Sequence, residues 1–301
     1  LRRKLLDHYR QCGYELIFPP LVEHLDALLT GAGSDLEQQT FKFTDPASGR
    51  LLGLRADMTP QEARIAARRY SDAETVRLCY LGTVLRTSPD NQGGPRSPRQ
   101  VGCELFGRPE LEADLEVLSL MLKTLELAGV GPVHLDLGHV GIYRALSARL
   151  GLDADDEAVL FEILQRKSHP DLAEFAANSR LNGVSEALSA LMDLNGDVGV
   201  LERARAVLAT AGEGVVEALS TLERVADELQ RSFPEVVIHV DLAELRGLRY
   251  HTGLVFAAFV PGSGREIARG GRYDGVGSEF GRPLPATGFS ADMNELLKLG
   301  P

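Results

Sequence analysis

Apolar positions fall at helical spacing over residues 1–12, where Leu1, Leu5, Leu6 and Tyr9 share a face and Gly13 closes the turn. Residues 14–18 then read as a strand, stopped by Pro19 and Pro20. Two short apolar segments, 41–45 and 51–55, flank a turn holding Pro46, Ser48 and Gly49, the pattern of a hairpin. Residues 60–70 are helical in pattern, with Ile65, Ala66 and Ala67 set among Arg and Glu. The stretch 76–85 alternates as a strand does, 87–98 is too rich in Pro and Gly for either regular element, and 100–106 resumes as a strand. A hairpin with a long, mobile loop is expected over 76–106. Leu111, Leu115, Leu118, Leu122 and Leu125 mark an amphipathic helix over 110–128, with Gly129 as its C-terminal cap.

After a strand at 133–137 the pattern changes. Residues 140–230 are almost wholly helical, with turns near Gly151, Pro170, Gly183, Gly196 and Gly212. This predicts a helical subdomain, 140–230, inserted into a core made of 1–139 and 231–301. Strands return at 236–240 and 253–260, Gly270 to Gly275 read as a glycine-rich turn, and a last helix starts near Met293. Strands joined by hairpin loops, rather than by single crossover helices, predict a mostly antiparallel sheet and an α+β fold.

Composition narrows the class. A chain of 301 residues, 44% apolar and 25% charged, buries a core without staples. Its three cysteines, Cys12, Cys79 and Cys103, are odd in number and lack C-x-x-C spacing, which argues against a disulfide framework and a zinc site. A reducing compartment fits better. No run of about 18 apolar residues occurs, so no membrane span is expected. The first residues are charged and helical in period, unlike a secretory leader, and the expected location is cytoplasmic. The net charge of −11, from 32 basic and 43 acidic residues, disfavours broad nucleic-acid binding, although Arg86, Arg96 and Arg99 form a local basic strip. There is no phosphate loop, no strand–G-x-G-x-x-G–helix unit, no G-x-S-x-G and no H-E-x-x-H, and the seven histidines are scattered. Neither a metal nor a cofactor is predicted.

Four segments carry more polar chemistry than a core needs. In the first, 54–60, Asp57 and Thr59 stand where a strand gives way to a helix. They serve either as helix caps ahead of Pro60 or as acceptors in a site. In the second, Arg86 precedes the loop, and Gln100, Gly102 and Glu104 fall on one face of the following strand. That stripe is either a solvent-exposed sheet face or the floor of a pocket, with Gly102 leaving room above it. The third, 244–253, crowds Arg246, Arg249, Tyr250 and His251 around Gly247 at the entry to a strand that starts at Gly253. A lone histidine such as His251 is more often a hydrogen-bonded structural residue than a ligand. The fourth is the 270–275 turn, with Tyr273 inside it.

In this order the four segments resemble the core of histidyl-tRNA synthetase, a class II aminoacyl-tRNA synthetase, over nearly the whole chain. Residues 54–60 look like that family's Leu-Arg-Pro-Glu-x-Thr segment. Arg86 with 100–107 (QVGCELFG) looks like its second class II motif, Arg246-Gly247-Leu248 with Tyr250 like its histidine-specific segment, and 270–275 (GGRYDG) matches a family string outright. The resemblance implies an antiparallel sheet flanked by helices and a pocket for free histidine. Asp57, Thr59 and Gln100 would hold the α-ammonium. Glu104 would accept a bond from the imidazole with Tyr273 and His251 nearby, and Arg246 would face the carboxylate. Arg86 and Tyr250 complete the implied set. An ammonium needs acceptors, a carboxylate needs a fixed cation, and a buried imidazole N–H needs an acceptor.

The departures point away from catalysis. Glu295 stands where the synthetases carry an arginine that packs on adenine, which reverses the charge and removes the flat cation. Ser88 stands where they carry a nucleotide-binding Glu, and Arg249 and His251 replace an Asp and a Tyr. Strings such as 55–60 (RADMTP) and 255–262 (VFAAFVPG) are similar to a paralogous family, the regulatory subunits of ATP phosphoribosyltransferase in histidine biosynthesis. That resemblance implies a non-catalytic subunit that joins a short-form catalytic subunit, supports the first step of the pathway and lets histidine inhibit it. The segment through Pro20 resembles the first class II motif, which implies a homodimer within a hetero-oligomer. An active histidyl-tRNA synthetase core and a free-standing histidine-binding module stay open as alternatives.

Overall fold

The structure is a computed structural model, which describes residues 1–30, 34–70, 75–89, 93–178, 185–245, 247–248 and 250–300. The chain opens with α1 (Arg2–Gln11), β1 (Glu15–Leu16), β2 (Val22–His24), α2 (Leu25–Leu29), α3 (Ser34–Gln39), β3 (Phe41–Thr44) and β4 (Leu51–Leu54). Then come α4 (Thr59–Arg69), β5 (Val76–Thr83), β6 (Arg99–Phe106), α5 (Leu111–Leu127) and β7 (His134–His139). A helical series follows: α6 (Val140–Ser147), α7 (Ala154–Gln165), α8 (His169–Asn178) and α9 (Ser185–Asp193), then β8 (Asn195–Gly196), α10 (Val200–Val207) and α11 (Glu213–Ser232). The chain ends with β9 (Val237–Asp241), β10 (Leu254–Phe259), β11 (Ala268–Arg272), α12 (Val276–Glu279), β12 (Ala286–Asp292) and α13 (Met293–Leu299). Among the described residues no helix is long and apolar enough to cross a membrane.

The chain packs as two compact units, 1–132 with 258–301, and 133–257. In the first, the strands run in the order β1-β5-β6-β12-β11, parallel between β1 and β5 and antiparallel elsewhere. Side-chain alternation gives this sheet two unlike faces. Val101, Cys103 and Leu105 of β6 share a face with Cys79 of β5 and Phe289 of β12, all buried. Helices α1 and α5 cover that face. Tyr9 meets Phe289 edge-on with ring centroids 6.4 Å apart, and its hydroxyl lies 2.9 Å from Thr124 Oγ1 of α5. Arg77 of β5 closes a bidentate pair with Glu116 of α5 at 2.7 and 2.8 Å. On the other face Gln100, Gly102 and Glu104 look toward the start of α4. A second, three-stranded sheet, β2-β4-β3, is antiparallel throughout.

In the second unit the strand order is β10-β7-β9-β8, with β7 and β9 parallel. The long α11 buries Val215, Ala218, Leu219, Leu222, Val225, Ala226 and Leu229, an i, i+3, i+4, i+7 stripe that packs on α6 and β7. Asp153 starts α7, accepting from the backbone N–H of Asp155 and Asp156 at 3.1 and 2.9 Å.

Most predicted elements are present, with three differences. The glycine-rich turn at 270–275 is in part a strand: Gly270, Gly271 and Arg272 lie in β11, paired with Phe289, Gly288 and Thr287 of β12. The strand β12 itself had no counterpart in the sequence reading. The strand expected at 14–18 holds only two residues in the sheet. Gly129 caps α5 as expected, at φ +73° with its N–H on Glu126 O at 2.9 Å. The loop predicted over 87–98 includes 90–92, and the turn expected near Gly183 falls in 179–184. Both stretches lie outside the described residues.

Candidate functional site

The site grows from one strand face. Along β6, Gln100, Gly102 and Glu104 alternate onto the same side, and their neighbours in register are Gly82, Tyr80 and Leu78 on β5 and Asp292, Ser290 and Gly288 on β12. Small residues stand where large polar groups need space. A Cβ on Gly288 would overlap the Glu104 carboxylate, and one on Gly102 would collide with the Tyr80 hydroxyl and Phe289 O. One on Gly82 would strike the Arg55 guanidinium. The room that Gly102 leaves is thus filled by Tyr80, a residue the sequence reading passed over.

Three hydroxyls converge on Glu104. Thr59 Oγ1 donates to Oε1 at 3.0 Å, Tyr80 OH donates to Oε1 at 3.2 Å, and Tyr273 OH donates to Oε2. Glu104 is 1% exposed, and burial pushes its carboxyl up to about 8, against the pull of these donors. Beside it, Gln100 Oε1 accepts from Met58 N at 3.1 Å and Gln100 Nε2 donates to Asp57 Oδ1 at 3.2 Å. Asp57 Oδ1 also accepts from Thr59 N at 2.9 Å. The cap position of α4 is Met58, with no side-chain capping bond. Asp57 instead makes a local turn and ties it to the sheet. Gln100 is 4% exposed, so the polar stripe is an interior face rather than a solvated one.

The predicted residues divide by position. Asp57, Thr59, Gln100, Glu104 and Tyr273 form one bonded cluster within the first unit. Arg86 sits at its margin, with Nε 3.4 Å from Ala56 O and its backbone N–H on Arg96 O at 2.8 Å. Tyr250 and His251 belong to the second unit, where their rings meet edge-on at 5.4 Å and Arg144 donates to Leu248 O and His251 O at 2.7 and 2.8 Å. Arg246 and Arg249 lie outside the described residues. Glu62 of α4, which the sequence reading missed, is fully buried next to the cluster, and burial together with the Glu104 charge raises its carboxyl well above the ordinary range. Glu295, where the resemblance expects an arginine, pairs with Arg265 at 2.8 Å and Lys298 at 2.6 Å.

A cleft of about 1060 Å³ lies in the second unit, lined by Leu152, Asp156, Ile163, Asp171 and Phe175 among others. None of the predicted site residues lines it. The Glu104 cluster is therefore the candidate.

Comparison with known proteins places this arrangement. The family model for histidyl-tRNA synthetase matches residues 1–296. An ATP phosphoribosyltransferase regulatory subunit from Thioalkalivibrio sulfidiphilus is 57% identical over 304 residues, 99% of this chain and 76% of the relative. A solved structure described as an ATP phosphoribosyltransferase regulatory subunit/histidyl-tRNA synthetase from Bacillus halodurans is 30% identical with a TM-score of 0.84, over 99% of this chain and 77% of that one. The ATP phosphoribosyl transferase (HisG:HisZ) complex from Thermotoga maritima holds a chain with the same fold, at a TM-score of 0.70 and 22% identity, over 96% of this chain and 95% of that one.

The buried carboxyl sets a pH dependence. Glu104 titrates near 4.5 when unfolded and near 8 in the fold, so between these values the folded chain keeps a proton that the unfolded chain has lost. Its contribution to stability is complete below the lower value and lost as pH rises through the upper one, with a slope of at most about 1.4 kcal/mol per pH unit. Glu104→Gln removes this loss. Urea denaturation of both proteins should show the variant gaining about 1–4 kcal/mol relative to wild type between pH 5 and pH 8. A difference independent of pH would contradict the buried-carboxyl description.

Proposed function

This chain belongs to the histidyl-tRNA synthetase family and, within it, to the ATP phosphoribosyltransferase regulatory subunits, and on that premise we propose that the Glu104 cluster binds free histidine and makes a partner's activity answer to it. The chain is a regulatory subunit of histidine biosynthesis and not itself the catalyst; the catalytic ATP phosphoribosyltransferase is its partner. The observation that carries the histidine reading is the buried Glu104 carboxylate, oriented by Tyr273, Thr59 and Tyr80. An acceptor fixed in this way suits an imidazole N–H.

The rest of the assignment follows the resemblance to histidyl-tRNA synthetase. The ammonium goes to Asp57, Thr59 and Gln100, whose acceptor oxygens lie together at the start of α4. Asp57 Oδ2 is not used in the bonds that tie Asp57 to Thr59 and Gln100. The resemblance assigns the ligand carboxylate to Arg246. Tyr250 and His251 belong to the same histidine-reading segment, and Arg86 stands at the margin near Asp57. A site of this kind rejects other amino acids because an unmatched polar group costs about 1–3 kcal/mol. The absence of catalysis is supported at Glu295. Its carboxylate is held low by the Lys298 hydrogen bond and by Arg265, where a synthetase presents a guanidinium to adenine.

Coupling to the partner is reciprocal. If histidine favours one state of the complex, substrates that favour the other weaken histidine binding by the same factor. The reading includes a homodimer within the hetero-oligomer and a cytoplasmic setting, the latter supported by three free cysteines. The dimer is supported by the segment through Pro20 that resembles the first class II motif, where Phe18 is 70% exposed, and by the exposed Leu21 and Val22 that follow it.

Two experiments test the reading. In calorimetry, Glu104→Ala should weaken histidine binding about 10- to 200-fold, and unchanged affinity would remove Glu104 from the site. In light scattering, the wild-type chain should show twice the single-chain mass, and Phe18→Asp should bring it to one; a wild-type monomer would refute the dimer.

A further inference from the structure

Glu62 has no part in the site as assigned above, yet it is the least compensated group beside it. It lies one turn after Thr59 on α4 and so shares the helix face that carries Thr59 toward Glu104. Its side chain is fully buried, and neither carboxylate oxygen has a hydrogen-bond partner among the described residues. Glu104, by contrast, has three hydroxyl donors. We infer that Glu62 is a further specificity-determining residue that acts through Glu104, making the site select a ligand whose ring is a cation over a neutral ring of the same shape. This inference rests on the histidine reading.

The surroundings support it. Two carboxylates in one buried site cannot both ionise freely, so Glu62 and Glu104 share one proton and one negative charge, and the charge on either member raises the other. Arg55 attracts the Glu62 charge, but its guanidinium donates to Thr83 O at 2.9 Å and Pro19 O at 2.6 Å. Asp57 adds a like charge to both glutamates. On β5, burial pushes Cys79 up to about 12 and Tyr80 well above its ordinary value, so neither supplies charge near neutrality. Asp26 of α2 and Glu279 of α12, on the helices packed against α4, are exposed. The cluster is thus net negative in its interior. An imidazolium resting on Glu104 balances it, and a neutral ring does not. A glutamine at 62 keeps the shape and removes Glu62's share of that charge, leaving Glu104 to titrate without its buried neighbour.

Calorimetry with histidine and with 1,2,4-triazole-3-alanine, whose ring stays neutral near pH 7, tests this directly. The wild type should prefer histidine, and Glu62→Gln should cut the ratio of affinities about tenfold, the effect of about one pH unit of charge coupling. A ratio unchanged within about twofold would overturn the inference while leaving histidine binding intact. If the wild type binds neither ligand, the histidine reading fails first, and the Glu62–Glu104 coupling is read in the free protein by carbon-13 NMR of the carboxyls. There the Glu104 midpoint should fall by about one pH unit or more in Glu62→Gln, and an unmoved midpoint overturns the inference. Should that variant not fold, the wild-type titration decides. Two coupled steps above the ordinary glutamate range support the inference, and a Glu62 that titrates within that range refutes it.

Discussion

The first unit is organised around one buried carboxylate. Glu104 lies within a sheet where water cannot solvate it, and a charge in that position is costly unless hydrogen bonds surround it. The fold supplies them from three separate places: Thr59 at the start of α4, Tyr80 on the neighbouring strand and Tyr273 just after β11. Gly288 and Gly102 give up their side chains so that the carboxylate and the Tyr80 hydroxyl fit. The hairpin register, the entry into α4 and the placement of β11 against β12 must all be correct for this arrangement to exist. The Asp57–Gln100 bonds then fasten the helix start to the same strand face.

Much of this was legible in the sequence, and the remainder was hidden for physical reasons. Helices α1, α4 and α5 and the β3–β4 hairpin announced themselves because each has a strong period or a clear turn. The strand β12 did not, since its residues, ATGFSAD, mix small and polar types that read as loop. Its place between β6 and β11 is set by tertiary packing around Phe289. The glycines at 270 and 271 read as turn-formers, but in β11 they pair with Phe289 and Gly288. Local propensity yields to sheet context there.

The same holds within the site. The even spacing of Gln100, Gly102 and Glu104 correctly placed them on one face, and the structure excludes the solvent-exposed reading of that face, because Gln100 and Glu104 are interior. Tyr80 could have been found by pairing the expected hairpin, since it falls opposite Gly102. Glu62 could not: a glutamate among arginines on a helix reads as a solvated residue, and only packing shows it buried. The roles of Asp57, Thr59, Gln100 and Tyr273 came from resemblance and not from spacing. The contacts that join them give that resemblance a physical content.

A catalytic fold can become a sensor by keeping the part that reads an amino acid and losing the part that activates it. On the proposed reading the cluster of hydroxyl donors around Glu104 is the part that is kept, while Glu295, engaged by Arg265 and Lys298, stands where the activating arginine is lost. The most direct test is the reconstituted activity of the catalytic ATP phosphoribosyltransferase subunit, measured with and without this chain over a titration of histidine. The account predicts activity that depends on this chain and falls as histidine saturates the site. Activity that needs no partner, or that histidine leaves unchanged in the complex, would contradict it.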